Sequence, residues 1–336
     1  MRKVSGIIAA AALVASVALT GPAANAAETI TGSGSSYMNA IQATCAAAYT
    51  TDKVTYTSKG SGTGKSEFAK GTTDFGGTDS LYAEGTEPAA FTYVPLVGGP
   101  IGVLINVPGL STINLTPKLV SDIFTGKITQ WNDKGIAAVN KAIAKKLPAQ
   151  TIQVTYRSDG SGTTYNFSNF LEQVVGKPWT PSDTWATASN GAKGTGGNKS
   201  SGLIASMKSL PYSIGYADLA DAATAGLEFA AIKNGAGQFV KPTVNASKLF
   251  LAKQLVRADG VVLFDYTEVV KGGYNLSLVS YAVAPTKAGT AKATATRNYL
   301  TNFIKSCSPK EAAKLNYVAL AGSLQKTALK LVARIK

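Results

Sequence analysis

Three short stretches carry the residues with chemistry to offer. They are Gly32-Ser33-Gly34-Ser35-Ser36-Tyr37, Gly60-Ser61-Gly62-Thr63-Gly64 and Asp159-Gly160-Ser161-Gly162-Thr163. Each stands before a segment with helical character. Glycine lets the backbone approach a ligand closely, and the free N–H groups and dipole of a helix start favour an anion. Serine and threonine hydroxyls add uncharged donors, and Arg157 places a planar guanidinium beside the third loop. Together these features point to the binding of a small anion.

Two catalytic readings of the same loops fail on their own residues. Gly60 to Ser66 resembles a nucleotide P-loop, but the glycine required five places before Gly64 is Lys59. The Ser161 loop resembles a hydrolase elbow, but a glycine is required where Asp159 stands. The chain has no histidine and only two cysteines. Ser-His-Asp catalysis and the usual zinc sites are thereby excluded, and no cofactor is expected.

Arg2 and Lys3, the apolar run Ile7 to Leu19 and the small residues of Ala24-Asn25-Ala26 form an export signal, so residues 1–26 are set aside. The apolar run is too short for a permanent span. Of the formal charge of +14 over 336 residues, +12 remains, with the lysines scattered and no arginine-rich run. That pattern suits a solvated surface or an anionic ligand and gives no nucleic-acid footprint. Cys45 and Cys307 face an oxidising compartment, either as a disulfide or as two buried thiols, and no lipid-anchoring cysteine follows the cleavage site.

The elements that must position these loops alternate in type, which predicts an α/β fold. Helices are expected over Tyr37–Tyr49 (capped by Ser35 or Ser36), Ser66–Lys70, from Thr116-Pro117 to Gly126, and from the Ser161 loop to Val175, stopped by Gly176 and Pro178. Strands are expected over Lys53–Thr57, Asp74–Gly77 and Ile152–Tyr156, with Phe91–Val97 and Ile101–Val107 as two buried strands. Residues 189–202, rich in Gly, Ser and Lys, read as a mobile loop. Ser308-Pro309-Lys310-Glu311 reads as a capping box opening a C-terminal helix.

Taken in order, Ile30 to Tyr37, Gly60-Ser61-Gly62, Asp74 to Asp79, Gly126 to Asp133, Arg157 to Thr163 and Ile214-Gly215-Tyr216 make the chain resemble the phosphate-binding proteins of bacterial Pst-type ABC importers. The resemblance runs over nearly all of the mature chain. It implies a two-lobe periplasmic-binding-protein-like fold, each lobe a mixed sheet flanked by helices. The expected division is 27–97 and 279–336 for the first lobe and 98–278 for the second, with the crossing near 95–100. It also implies that Ser36, the Tyr37 N–H and Ser61 donate to the ligand from the first lobe. By the same resemblance, Asp79 would accept a hydrogen bond from the ligand's own proton, and Arg157, Ser161, the Gly162 N–H and Thr163 would close from the second lobe, with Asp159 holding the guanidinium.

An aspartate facing a dianion repels it unless the ligand carries a proton to share, as phosphate does and sulfate does not. The expectation is therefore an exported, non-enzymatic, monomeric protein, periplasmic or at the cell surface. It would close on phosphate by hinge motion and deliver it to a membrane permease and its ATPase. A sulfate or molybdate binder, a secreted phosphatase-like hydrolase and a scavenger without a permease are the competing readings. Lys65, where relatives carry plainer glycine-rich sequence, and Tyr37, where phenylalanine is usual, depart from the family pattern.

Overall fold

The computed structural model describes residues 27–336, so the expected signal segment 1–26 lies outside the described residues. The described residues form a large curled, mixed sheet flanked by helices, with Leu255–Val256 and Val262–Leu263 pairing as a small separate sheet, as expected for an α/β protein. The strand Thr29–Gly34 pairs in parallel with Lys53–Ser58 on one side and with Phe75–Thr78 on the other. Next come Ser277–Pro285 and Phe91–Asn106, both antiparallel to their neighbours, then Ser213–Asp218, Gln153–Arg157 and Thr195–Gly197. Parallel neighbours connected through helices leave several strand ends and helix starts along one edge, where ligand loops belong.

The two strands expected around residue 100 are one strand, Phe91–Asn106. Gly98-Gly99-Pro100 reads as punctuation, yet pairing continues through it. Gly98 lies against Val279 and Val318, and Pro100, which lacks an N–H, lies against Ser277. Gly99 serves packing, since a β-carbon there would come within 2.4 Å of the Tyr37 hydroxyl, which donates to Pro100 O at 3.1 Å. Residues 91–100 of this strand pair with Ser277–Pro285, whereas 101–106 pair with Ser213–Asp218.

Three further expectations are corrected. The helix expected at Ser66 begins at Ser61 and runs to Ala69, with two glycines in its first turn. Gly64 is there because a β-carbon would come within 2.5 Å of the Gly34 Cα, so the helix rests on the end of the sheet. Residues 189–202, expected as a loop, contain the strand Thr195–Gly197 and the start of the helix Lys199–Ser209. Gly197 has the same cause, with Leu203 backbone 2.4 Å from a would-be β-carbon.

Ser308 opens no capping box. The helix Ala291–Asn302 runs on through a wide turn, Phe303–Cys307, into Ser308–Glu311, so no free helix start needs a cap, and the Ser308 hydroxyl is buried without a partner.

Other local readings hold. Thr116 accepts from the Leu119 N–H ahead of the helix Pro117–Phe124. Ser161 accepts from the Thr164 N–H to cap Gly162–Val175, and Gly176 stops that helix at φ +89°. One more is corrected: the first helix, expected from Tyr37 under a Ser35 or Ser36 cap, spans Asn39–Ala48 with no side-chain cap, and Ser35 Oγ instead accepts from the Tyr37 N–H at 3.1 Å. Cys45 and Cys307 form a disulfide, which ties that helix to the wide turn.

Candidate functional site

The three glycine–serine loops meet. Asp79, at the end of Phe75–Thr78, is fully buried at the centre of the meeting point. Its Oδ1 accepts from the hydroxyls of Ser35 and Ser280, both at 2.6 Å, and its Oδ2 from Ser61 at 3.3 Å. Burial raises the Asp79 pKa, and the Ser280 and Ser35 hydroxyls, the Arg157 charge and Ser61 pull it back only partly. The net shift is upward.

Opposite stands Arg157, whose buried guanidinium is held in a fork by Asp159. Nε reaches Oδ1 at 2.7 Å and Nη2 reaches Oδ2 at 2.6 Å. Burial pushes the Asp159 carboxyl up, but the Arg157 bonds and charge, with the Lys199 N–H, outweigh it and leave its pKa lowered. That N–H donates to Asp159 Oδ1 at 2.9 Å from a residue at φ +62°, a conformation lysine seldom adopts. Buried Arg157 and Asp79 act on each other through their charges.

The helix Gly162–Val175 points its start into this space. Its first N–H groups, those of Gly162 and Thr163, have no partner one turn earlier in the helix, while Ser161 Oγ satisfies Thr164. The Thr163 hydroxyl is buried with no hydrogen-bond partner, which calls for an explanation in a folded protein. Gly162 is packed so tightly that a β-carbon would lie 2.6 Å from Ser61 Oγ and 2.7 Å from the Asp79 Cβ. Gly60 approaches Asp159 in the same way, and the Gly62 N–H donates to Gly160 O at 2.9 Å. Among the described residues no cluster of His, Cys, Asp or Glu could hold a metal ion.

The structure thus brings Ser61, Asp79, Arg157, Asp159, Ser161, Gly162 and Thr163 together. Ser36 is at the same meeting point, its hydroxyl 3.1 Å from that of Ser200 and accepting from the Ser200 N–H at 3.2 Å. The Tyr37 N–H is engaged by Ser35, and its ring is buried against Tyr317. Sequence reasoning missed Ser280, Ser200, Lys199 and Asn166, whose amide donates to Asp79 O at 2.7 Å. A tighter reading of 189–202 could have found Ser200, because Ser200, Leu203, Ile204 and Met207 repeat at helical spacing along one buried face.

A curled mixed sheet with glycine-rich helix starts converging at one edge defines a periplasmic-binding-protein-like α/β protein. The family model described as the PBP superfamily domain matches residues 20–305. The phosphate-binding protein PstS of Xylella fastidiosa is 31% identical over 312 residues, covering 88% of this chain and 83% of that one. PstS of Pasteurella multocida is 37% identical over 227 residues, covering 66% and 65%. The chain therefore belongs to the family of PstS phosphate-binding proteins, which are binding components of transport and not enzymes.

Solved structures agree on the fold. A high-affinity periplasmic phosphate-binding protein bound with phosphate superposes with a TM-score of 0.73 at 21% identity, covering 89% of this chain and 92% of that one. A phosphate ABC transporter substrate-binding protein from Clostridium perfringens, with bound phosphate, gives 0.63 at 16% identity, covering 87% and 100%. Among the described residues no helix is long and apolar enough to cross a membrane.

Proposed function

We propose that this chain is the exported, monomeric substrate-binding component of an ABC phosphate importer, which holds one inorganic phosphate and hands it to a membrane permease and its ATPase. The observation that carries this reading is the convergence of buried Asp79, which holds the hydroxyls of Ser35, Ser61 and Ser280, and buried Arg157 beside the start of the helix Gly162–Val175. A fully deprotonated oxyanion satisfies Arg157 but is repelled by Asp79. A phosphate that keeps one proton satisfies both, because the ligand donates that proton to the carboxylate.

In this reading Ser36, Ser61, Ser161, Thr163 and the N–H groups of Gly162 and Thr163 meet the remaining oxygens, and Asp159 keeps the guanidinium planar to the ligand. The Tyr37 N–H joins them once Ser35 Oγ releases it. Residues 27–97 with 279–336 form one lobe and 98–278 the other. The switch of partners along Phe91–Asn106 supports that division, as does the return at Ser277–Pro285. Ligand bonds to both lobes exist only when they are closed, so phosphate shifts an open–closed equilibrium toward closure.

Calorimetry on protein stripped of ligand, titrated separately with phosphate and sulfate, tests the reading. Native mass spectrometry of the purified protein should retain the mass of one phosphate. Absence of phosphate heat overturns it, and equal sulfate affinity overturns the role of Asp79.

A further inference from the structure

Lys65 is the residue that gave the second loop its false resemblance to a P-loop, and anion binding as described above does not use it. Its ammonium group has all three donors engaged: Ser80 Oγ at 3.0 Å, Leu81 O at 2.7 Å and Asp183 Oδ2 at 2.7 Å. Ser80 Oγ donates to the same Asp183 oxygen at 2.9 Å, and the ammonium lies 5.8 Å from the centre of the Tyr82 ring. The pair is largely withdrawn from water, with side-chain exposures of 12% for Lys65 and 19% for Asp183.

The two partners belong to opposite sides of the meeting point. Lys65 sits in the helix Ser61–Ala69, which rests on the end of the Thr29–Gly34 sheet region. Asp183 is fixed to the helix Gly162–Val175. Its carbonyl accepts from the Ser161 N–H at 2.9 Å, and the neighbouring Ser182 N–H donates to Ser168 Oγ at 3.2 Å. The second carboxylate oxygen, Asp183 Oδ1, is buried with no partner. A half-satisfied buried carboxylate makes its single cation matter more, because losing Lys65 leaves the charge uncompensated.

We propose that Lys65 and Asp183 form a charge latch across the cleft that sets how long bound phosphate is held. The latch rests on the two-lobe phosphate-binding reading and adds a residue that touches no ligand. Lys65 anchors Asp183, Asp183 anchors the Ser161 loop, and the contact exists only while the lobes are closed. Opening therefore has to break a desolvated ion pair in addition to the ligand's own bonds. Lys65 is accordingly a positioning residue, whose removal acts on release more than on capture.

The test is a release measurement on the whole exported chain. Each protein is loaded with radiolabelled phosphate, chased with excess unlabelled phosphate and filtered rapidly. Lys65→Met, which keeps most of the aliphatic stem, should release phosphate about 10-fold faster, as expected for bonds to a charged group. Its association rate and ligand-free melting temperature should match the parent's. Asp183→Asn should speed release similarly, and the double variant should be no faster than the worse single one.

Variants that release at the parent rate, or whose effects multiply independently, overturn the latch while leaving phosphate binding standing. A ligand-free melting temperature lowered as much as the ligand-bound one also overturns it, since the pair would then be permanent structure. A parent chain that binds no phosphate overturns both readings together.

Discussion

Gly162→Ala separates folding from binding. Gly162 is the first residue of the helix that ends at Val175, and its φ lies outside the left-handed region, so alanine suits the backbone. Alanine at a helix position is favoured over glycine by up to ~1 kcal/mol. The added β-carbon would nevertheless meet Ser61 Oγ at 2.6 Å, the Asp79 Cβ at 2.7 Å and the Asp79 carbonyl carbon at 2.9 Å. Ordinary contact begins at 3.4 Å, so the two sides must stand apart by several tenths of an ångström. The Asp79 backbone cannot swing aside as a flexible side-chain end can.

A misplacement approaching 1 Å between groups that must grip one ligand costs on the order of 100-fold. The expected outcome is a phosphate Kd raised about 100-fold, with the ligand-free melting temperature unchanged or raised by roughly 1–3 °C. Titration calorimetry reads the first quantity and scanning calorimetry the second. A Kd within threefold of the parent would show that the lobes do not close to this distance around the ligand. A ligand-free melting temperature lowered by many degrees would show that the two faces are packed together permanently, and hinge closure would be wrong.

Three other outcomes follow from single groups. Asp79→Asn replaces the proton acceptor with an amide, so phosphate should weaken and sulfate should gain on it by about 10-fold or more in competition calorimetry, part of the ~10⁴ that such a bond can supply. Replacing Cys45 and Cys307 together by serine should lower unfolding stability in urea by about 2–5 kcal/mol with phosphate affinity intact, because the bridge closes a 262-residue separation in the unfolded chain. Asp218 caps the helix Leu219–Thr224 with one carboxylate oxygen while the other is buried unpartnered. Burial, then the Asp221 charge, pushes its pKa up to about 7. The folded chain therefore keeps a proton that the unfolded chain gives up near pH 4, and stability should fall as pH rises from about 4 to 7. Asp218→Asn, which still caps, should flatten that fall in melting curves taken across the range.

What could be read before the fold was known was local in the chain. Ser161 capping its own helix, Gly176 ending it, and Asp159 two residues from Arg157 need no knowledge of the tertiary structure. The residues that were missed answer to partners far away. Ser280 sits in an apolar run where nothing nearby calls for a hydroxyl, and its reason is an Asp79 oxygen 201 positions earlier. Ser200 reaches Ser36 across 164 positions. Strand pairing makes such contacts, and periodicity carries no record of which strands pair.

The misreadings that involve glycine share a cause, and it bears on function. Gly-Gly-Pro at 98–100, Gly62 and Gly64 in a helix start, and the glycine-rich stretch before Ser200 all suggested breaks or mobility. In each place glycine serves closeness: Gly99 admits the Tyr37 hydroxyl, Gly64 the end of the sheet, Gly197 the Leu203 backbone, and Gly162 the Asp79 carboxylate loop. The close approaches of Gly60 to Asp159, of Gly62 to Gly160 and of Gly162 to Asp79 bring two backbones nearly into contact at the meeting point. Flexible loops and tightly packed ones therefore draw on the same residue, and composition cannot tell them apart. The partner atom can, and at Gly162 that atom belongs to Asp79, the residue whose replacement by asparagine tests phosphate selectivity.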